Sequence, residues 1–552
     1  MNIKLKLFTF IMMTAGCISL YAQPVKAQEH QEVLFSLKSI HFISSPSQIK
    51  KGAFEPGIDA NEVPFLKSHP AFLELIEKQY IRQPLTLEKI ESLRTQILNF
   101  YHSKGRDLVK VIVPEQELTH RKLYVIVQEA HLGKVEVVAN RYFSDKVVRD
   151  NLSAKEGESL DFKDLKKDLS WINRNPFIQA SAILSQGKAP NTTDLDIVVK
   201  DSWPYRFYVG ADNTGTNSTG KTRLFAGANF GNLFGLNQNL SYQFTSGTDY
   251  KRFRSMTVDY LIPFPWRNLL HVYGGYSQSQ PHLSHRDLHL EAKNWQVDAR
   301  YEIPIHTSGP LLQQVDVGFD IKRINNDLEF GGTLVQRQFV NVIQAVVDYN
   351  NGYQDSRWKS TIDISLFLSP GEIGHDNTTS VFETLRPDAN CHYLIFGLEW
   401  SASYLLSKGG WLLTGDLWGQ VATTNLIPTE QLILGGYNSI RGYEQSEVTV
   451  DDGLAVSLEL HTPNFFYRNS KGGRGARDNL YFLGFIDYGW GRNHKLQEGE
   501  KNGINLLGVG AGARYQLGTA INARFDYAFA LLDPPYTPKR KQRIFFGVVF
   551  SY

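Results

Sequence analysis

Val315-Asp316-Val317-Gly318-Phe319-Asp320-Ile321-Lys322 alternates apolar and polar positions, so an extended chain carries Val315, Val317, Phe319 and Ile321 on one face and Asp316, Asp320 and Lys322 on the other. The split recurs in Trp295, Val297, Ala299 and Tyr301 against Gln296, Asp298, Arg300 and Glu302, and in Ile362, Ile364 and Leu366 against Thr361, Asp363 and Ser365. From Tyr205 to Tyr552 the sequence runs in segments of about ten residues with this period, divided by Gly, Asn, Asp and Pro turns. A soluble β-sandwich alternates too. Its polar face is the outer one, however, and it needs an apolar core between two sheets, a pattern that seldom persists through so many strands.

The N-terminus decides between the two. Residues 1–27 combine a basic start (Lys4, Lys6), an apolar run from Leu7 to Leu20 and small-residue exits at Ala22 and Ala27, which is a secretory signal peptide. A lipoprotein anchor at Cys17 is disfavoured because Thr14 stands where a bulky aliphatic residue is wanted. No other stretch supplies the run of about eighteen apolar residues that a transmembrane helix needs, so a membrane role must come from strands. The reading is an antiparallel transmembrane β-barrel over residues 203–552, apolar towards lipid and polar towards a lumen, with about sixteen strands and both ends in the periplasm. Alternate connections are short or Pro-bearing (Gly231–Gly235, Pro263–Trp266, Ser407–Gly410, Gln516–Thr519), whereas others, such as Ser369–Asn390 and Thr424–Asp451, are long and polar. Asn464–Asn479 breaks the alternation. The last strand ends on an apolar face of Ile544, Phe546, Val548, Phe550 and Tyr552, which resembles the signal by which barrels are recognised for assembly.

Composition agrees: 26 Tyr, 33 Phe and 45 Gly against 4 Met favour strands and turns. A net charge of +2 gives no concentrated basic face for nucleic acid. Once the signal peptide is removed Cys391 is the remaining cysteine, so no intramolecular disulfide can form.

Between Glu32 and Asp201 the periodicity switches between 2 and 3.6 in the order strand, helix, helix, strand, strand, and does so twice. This predicts two small α+β modules, residues 32–129 and 130–201. In the first, Leu87, Ile90, Leu93, Ile97 and Phe100 share a helical face behind a Thr86 cap, and Val109, Val111 and Val113 alternate. In the second, Phe162, Leu165, Leu169 and Ile172 form the helical face behind Asp161, Pro176 follows the helix, and Leu195, Ile197 and Val199 close the module.

Several motifs yield to simpler readings. Gly215-Thr-Asn-Ser-Thr-Gly220-Lys221-Thr222 matches the phosphate-loop pattern, but a phosphate loop must open a helix, and Arg223 to Phe230 alternates as a strand. Gly508, Gly510 and Gly512 lie two apart on a strand, where they make room on one face. His282, His285 and His289 cluster in an expected outer loop, where histidines are more often solvated than zinc-bound. With no GxSxG and no HExxH, nothing pairs a nucleophile with a base. No enzyme activity, cofactor or metal is expected.

The stretch Leu432–Glu447, LILGGYNSIRGYEQSE, is different in kind. Gly435, Gly436 and Gly442 bracket a single arginine, Arg441, inside a loop a barrel has no reason to keep unless it is used. Folded inward, Arg441 meets a polar lumen and needs a bidentate acceptor. Asp487 shares an inward face with Phe485 and Gly489 and is a candidate; an exposed arginine and an unrelated aspartate remain the alternative.

At these residues the chain resembles the two-partner secretion transporters, the haemolysin and filamentous-haemagglutinin exporters. The likeness rests on NFYHSKGRDLVKVIVPEQEL (Asn99–Leu118), ADNTGTNSTG (Ala211–Gly220), IRGY (Ile440–Tyr443), ELHTP (Glu459–Pro463) and FIDYG (Phe485–Gly489), in that order. The resemblance implies two periplasmic POTRA modules that capture an unfolded secreted exoprotein of adhesin or haemolysin type, and a 16-stranded outer-membrane barrel that exports it without nucleotide. It also implies a loop lock of Arg441, Gly442 and Tyr443 with Asp487. Lipid and, through Phe550 and Tyr552, the barrel assembly machinery are the other expected partners. A general insertase of the same superfamily, which usually has more than two modules, or a passive pore are the alternatives. Two features depart from the family pattern. Few residues separate Ala27 from the first strand near Phe35, so plug gating does not carry over from the family pattern, and Ser44–Pro70 is an insertion.

Overall fold

The computed structural model describes residues 35–49, 55–118, 120–282, 288–305, 311–330, 333–465, 478–535 and 542–552. The expected signal peptide, His285 and most of Asn464–Asn479 lie outside them. No helix among the described residues is long and apolar enough to cross a membrane. Sixteen antiparallel strands, from Tyr205–Asp212 to Gln542–Ser551, close a barrel in sequence order. The alternation is resolved as the lipid reading requires: Val317 and Phe319 are 48% and 49% exposed, whereas Asp316 and Asp320 on the inner face are 7% and 3% exposed. A water-soluble sheet would have the opposite assignment.

Three strands are longer than the expected segments: Leu288–Ile305, Leu311–Phe330 and Thr333–Gln354 have 18, 20 and 22 residues. A membrane-spanning strand needs only about 9–11 residues, so these hairpins extend beyond the hydrocarbon. Outside it both faces meet water, and runs such as Asn325-Asn326-Asp327 lose the alternation that would mark them as strand. His289, expected in a loop, is therefore a strand residue opposite Glu329. Helix was also not expected in the barrel region, yet Thr379–Leu385 is a short helix inside the loop after Trp358–Pro370. The Thr378 hydroxyl accepts the Val381 amide and Phe382 is buried, but seven residues are too few to display a period.

The first module forms a sheet in the order Gly57–Asp59, Ser39–Ile43, Lys122–Glu129, Val109–Ile112. Thr86 caps the helix Leu87–Ser103, accepting the Lys89 amide at 3.2 Å, and Leu93, Ile97 and Tyr101 are fully buried. Leu87 is 72% exposed rather than part of that face. Helical side chains lean towards the N-terminus, so one on the first helical residue projects past the end of the packed surface. The described residues of the Ser44–Pro70 insertion contribute to this module's core. Its strand Gly57–Asp59 adds in parallel to Ser39–Ile43, and Val63 and Leu66 are buried with Ile76 of the helix Pro70–Tyr80.

The second module has the strands His131–Val138, Thr192–Asp201 and Ile178–Gln186 in that order, with Leu195, Ile197 and Val199 fully buried, and carries the helix Phe162–Ile172. That helix also buries Asp168, which accepts the Ser153 amide and hydroxyl, each at 2.7 Å, and pairs with Arg267 in the turn after Phe253–Pro263. Asn175 donates to the Gly231 carbonyl at 2.5 Å and to Asn237 at 2.7 Å. A Cβ on Gly231 would lie 1.9 Å from the Phe177 ring. These contacts seat the second module on two short turns of the barrel. Asp168→Ala leaves Arg267 without its carboxylate; loss of one partner of a buried pair costs about 3–5 kcal/mol, towards the lower end here because Arg267 is partly exposed. Limited proteolysis of the protein in micelles should then cut between module and barrel faster than in the wild type, and equal rates would show that this pair does not seat the module.

Candidate functional site

The loop after Leu412–Ala422 returns to the barrel at Asp452–His461. Its middle is a built object: Leu432–Leu434 and Val448–Val450 pair as a short antiparallel ribbon. At the tip Gly435, Gly436 and Gly442 adopt φ of +99°, +104° and +101°, the left-handed region in which a side chain is strained. The Gly436 amide donates to the Ile440 carbonyl at 3.1 Å and the Tyr437 amide to the Gln445 side chain at 3.1 Å. Leu434, Ile440, Tyr443, Val448 and Val450 then pack with Ala455, Ile504, Leu506 and Ala530 of the wall. The inner face, polar at positions such as Asp316 and Asp320, is apolar where the loop rests on it.

The tip delivers Arg441, 4% exposed, to Asp487, which is fully buried on the strand Asp478–Arg492. Nε donates to Asp487 Oδ2 at 2.7 Å and Nη2 to Oδ1 at 2.8 Å, the bidentate fork that guanidinium and carboxylate geometry favour. The Arg441 backbone amide adds a third bond to Oδ2 at 3.0 Å. Nη1 donates to Glu459 at 2.6 Å, Nη2 to the Ser457 hydroxyl at 3.0 Å, and the guanidinium carbon lies 3.4 Å from the centre of the Phe485 ring. Ser457 also donates to Asp487 at 2.7 Å. Across the lumen face, Asp526 is 3.8 Å from Arg441 and 3.0 Å from Arg514.

Glycines on the wall and at the tip itself let the two come this close. A Cβ on Gly508 would be 1.9 Å from the Arg441 carbonyl oxygen, one on Gly489 2.8 Å from Ile440, and one on Gly442 2.7 Å from the Phe529 carbonyl carbon. Tyr443 anchors the other side, its hydroxyl donating to the Leu532 carbonyl at 2.9 Å and accepting the Leu507 amide at 3.0 Å. The structure thus brings Arg441, Gly442, Tyr443 and Asp487 to one place.

Ser457, Glu459, Phe485, Gly508 and Asp526 complete the site; of these, sequence reasoning places Phe485 beside Asp487 on the inward face but gives it no role, and it does not single out the others for the site. A signal exists for the first three: Ser457 and Glu459 share a face and lie opposite Asp487 and Phe485 in the ladder. A second arginine carries no such signal. Arg386, 5% exposed, donates to Asp451 at 2.8 Å and to the Leu426 carbonyl at 2.9 Å, and lies 3.4 Å from Glu500, joining three loops at the same end of the barrel.

The other sequence candidates lie apart from this site. Phe550, 49% exposed, is outward on the last strand and pairs with Val209 of the first strand, while Tyr552 exchanges backbone hydrogen bonds with Phe207. Gly215–Thr222 is a hairpin turn, with a bridge between Thr216 and Gly220 and strand following from Arg223, so its amides do not begin a helix. His282 is in a loop and His289 on a strand.

Residues 191–515, more than half of the chain, match the family model described as haemolysin secretion/activation protein ShlB/FhaC/HecB. The heme/hemopexin transporter protein HuxB of Haemophilus influenzae (strain 86-028NP) is 23% identical over 450 residues, 80% of this chain and 77% of that one. The outer membrane transporter CdiB of Dickeya dadantii (strain 3937) is 22% identical over 490 residues, 86% and 83% of the two chains. The solved structure of CdiB from Escherichia coli superposes with a TM-score of 0.76 at 16% identity, over 96% of this chain and 93% of that one, which establishes the likeness of fold.

Proposed function

The chain belongs to the haemolysin secretion/activation family ShlB/FhaC/HecB, and from that premise we propose how its barrel, an outer-membrane route by which a partner exoprotein leaves the cell, is governed and supplied. The single observation that carries the proposal is the complete engagement of Arg441: a buried guanidinium with a bidentate carboxylate, a second carboxylate, a hydroxyl and an aromatic face. Arg441, Gly442 and Tyr443 act with Asp487 as a lock that fixes the inward loop to the wall. A passive pore has no use for such a loop. The modules at 32–129 and 130–201 are periplasmic POTRA modules that hold the unfolded cargo, an exoprotein of adhesin or haemolysin type. Cargo affinity comes from main-chain pairing at a strand edge, which demands little of the sequence. Strand Ile178–Gln186 is one such edge, ending its sheet with a single neighbour. No nucleotide is consumed; the barrel supplies a path and the cargo's folding outside supplies direction. Phe550 and Tyr552 form the signal read by the barrel assembly machinery, supported by their outward position at the end of the last strand.

Mass spectrometry of proteins released by cells with and without this chain tests the reading. Selective loss of one large exoprotein is expected. An unchanged set of released proteins together with depletion of other barrels would replace the transporter with an insertase.

A further inference from the structure

We propose that Glu372, Cys391 and His392 form a binding site for a zinc-class divalent cation at the base of the 371–391 loop. One ligand atom from each, a carboxylate oxygen, the thiol sulfur and an imidazole nitrogen, lies within 4.8 Å of both others. The Glu372 Oε1 is 3.9 Å from Cys391 Sγ and 3.9 Å from His392 Nε2. Tetrahedral zinc with bonds of about 2.0–2.3 Å holds its ligands roughly 3.3–3.8 Å apart, so the donors are near the required spacing before any ion is bound.

The backbone makes this spacing durable. Glu372 and His392 flank the end of a ladder in which Pro370 faces His392 and Ser369 faces Tyr393, and Ser369 Oγ donates to the Cys391 carbonyl at 2.7 Å. Donors on or next to paired strands are held better than donors on a free loop. Between them Gly371 has φ +65°; a Cβ there would sit 2.5 Å from His392 Nδ1 and 2.7 Å from Cys391 Sγ, filling the ground the donors occupy. The Thr379 hydroxyl, at the start of the loop helix, is 3.3 Å from Cys391 Sγ, an outer contact of the kind that orients a metal-binding thiolate.

The plain alternative is a buried cysteine acting as a small apolar residue beside Phe382 and Ala389. That role requires no polar neighbour. Here a carboxylate and an imidazole, 58% and 52% exposed, converge from the solvent side on a sulfur that is itself buried. The combination of thiolate, imidazole and carboxylate selects zinc-class ions over magnesium or calcium, which take oxygen donors. Bound there, the ion ties the first residues of the loop to its last.

The test uses the untagged full-length protein, folded in detergent micelles without metal and dialysed against buffered Zn2+, with bound zinc measured by inductively coupled plasma mass spectrometry. The wild type should retain a single zinc ion that excess Mg2+ or Ca2+ does not displace. His392→Ala and Cys391→Ser should each weaken binding by more than the about 10–100-fold that outer-contact changes cost. Co2+ in place of zinc should give a thiolate charge-transfer band in the near ultraviolet that Cys391→Ser removes. Should Cys391→Ser not fold, as judged by loss of the heat-modifiable band on a gel, His392→Ala and the cobalt spectrum of the wild type decide. Failure of the wild type to retain zinc, or full retention by His392→Ala, would overturn the proposal.

Discussion

Arg441→Ala is expected to leave the barrel inserted in the outer membrane and to abolish export. The barrel survives because its closure rests on interstrand ladders, from Tyr205–Asp212 round to Gln542–Ser551, in which the loop takes no part. The proposed lock should not survive. Asp487, fully buried, loses the two side-chain donors at 2.7 and 2.8 Å and keeps only Ser457 and whatever the displaced loop backbone still offers. Stripping one partner from a buried charge pair costs about 3–5 kcal/mol, and at about 1.4 kcal/mol per tenfold this shifts the loop between docked and undocked by roughly two to three and a half orders of magnitude. Arg441→Lys should recover little of the activity, because one ammonium cannot supply a fork to Asp487 and a separate donor to Glu459 while lying flat on Phe485. The double exchange Arg441→Asp with Asp487→Arg, which a simple two-residue pair would tolerate, is expected to fail too: the new aspartate would face Glu459, now 2.6 Å from Arg441, and Asp526 at 3.8 Å. Released exoprotein, normalised to the folded, heat-modifiable barrel in the outer membrane, measures all three. Wild-type export by Arg441→Ala would remove the lock from the mechanism.

Legible in the sequence is whatever lipid or a sheet imposes as a period. Lipid on one side of every strand forces the phase of Val317 against Asp316, and the same phase places Asp487 inward with Phe485 and Gly489, so the wall's half of the Arg441 contact is legible from alternation alone. The arginine's arrival is not legible from phase, because the tip of a loop has no period; only the glycines and the resemblance mark it. Contacts between distant segments are hidden for the same reason. Asp168 looks like a polar position on an amphipathic helix until Arg267, from a turn almost a hundred residues later, comes beneath it. Arg386 reads as an ordinary loop cation until Asp451 and Glu500 converge on it. Leu87 shows the converse error: it has the right residue type at a helix end, where the packed surface has already stopped.

Gly508→Ala separates the lock from the charges that compose it. Gly508 faces Asp487 in one ladder and Ala530 in the next, and its missing side chain is where the Arg441 carbonyl lies. A Cβ would meet that oxygen at 1.9 Å and the Arg441 carbonyl carbon at 3.0 Å. Both are backbone atoms, with no rotamer by which to step aside, and non-bonded heavy atoms settle at about 3.5 Å. The tip must therefore retreat by about 1 Å or more. The Arg441 amide, now 3.0 Å from Asp487 Oδ2, then passes beyond hydrogen-bonding distance, and the fork loses its alignment although neither charged residue has changed. The strand itself gains, since alanine in place of glycine in an element interior contributes roughly 0.5–1 kcal/mol. The expected result is a barrel at least as resistant to heat as the wild type with export reduced to the level of Arg441→Ala. Gly274→Ala is the control, being a strand glycine whose Cβ would meet nothing within 4 Å, and it should export normally. If Gly508→Ala exported as well as Gly274→Ala, the close approach of the tip to the wall would be incidental to transport, and Arg441 would have to act in some position other than the one it occupies here.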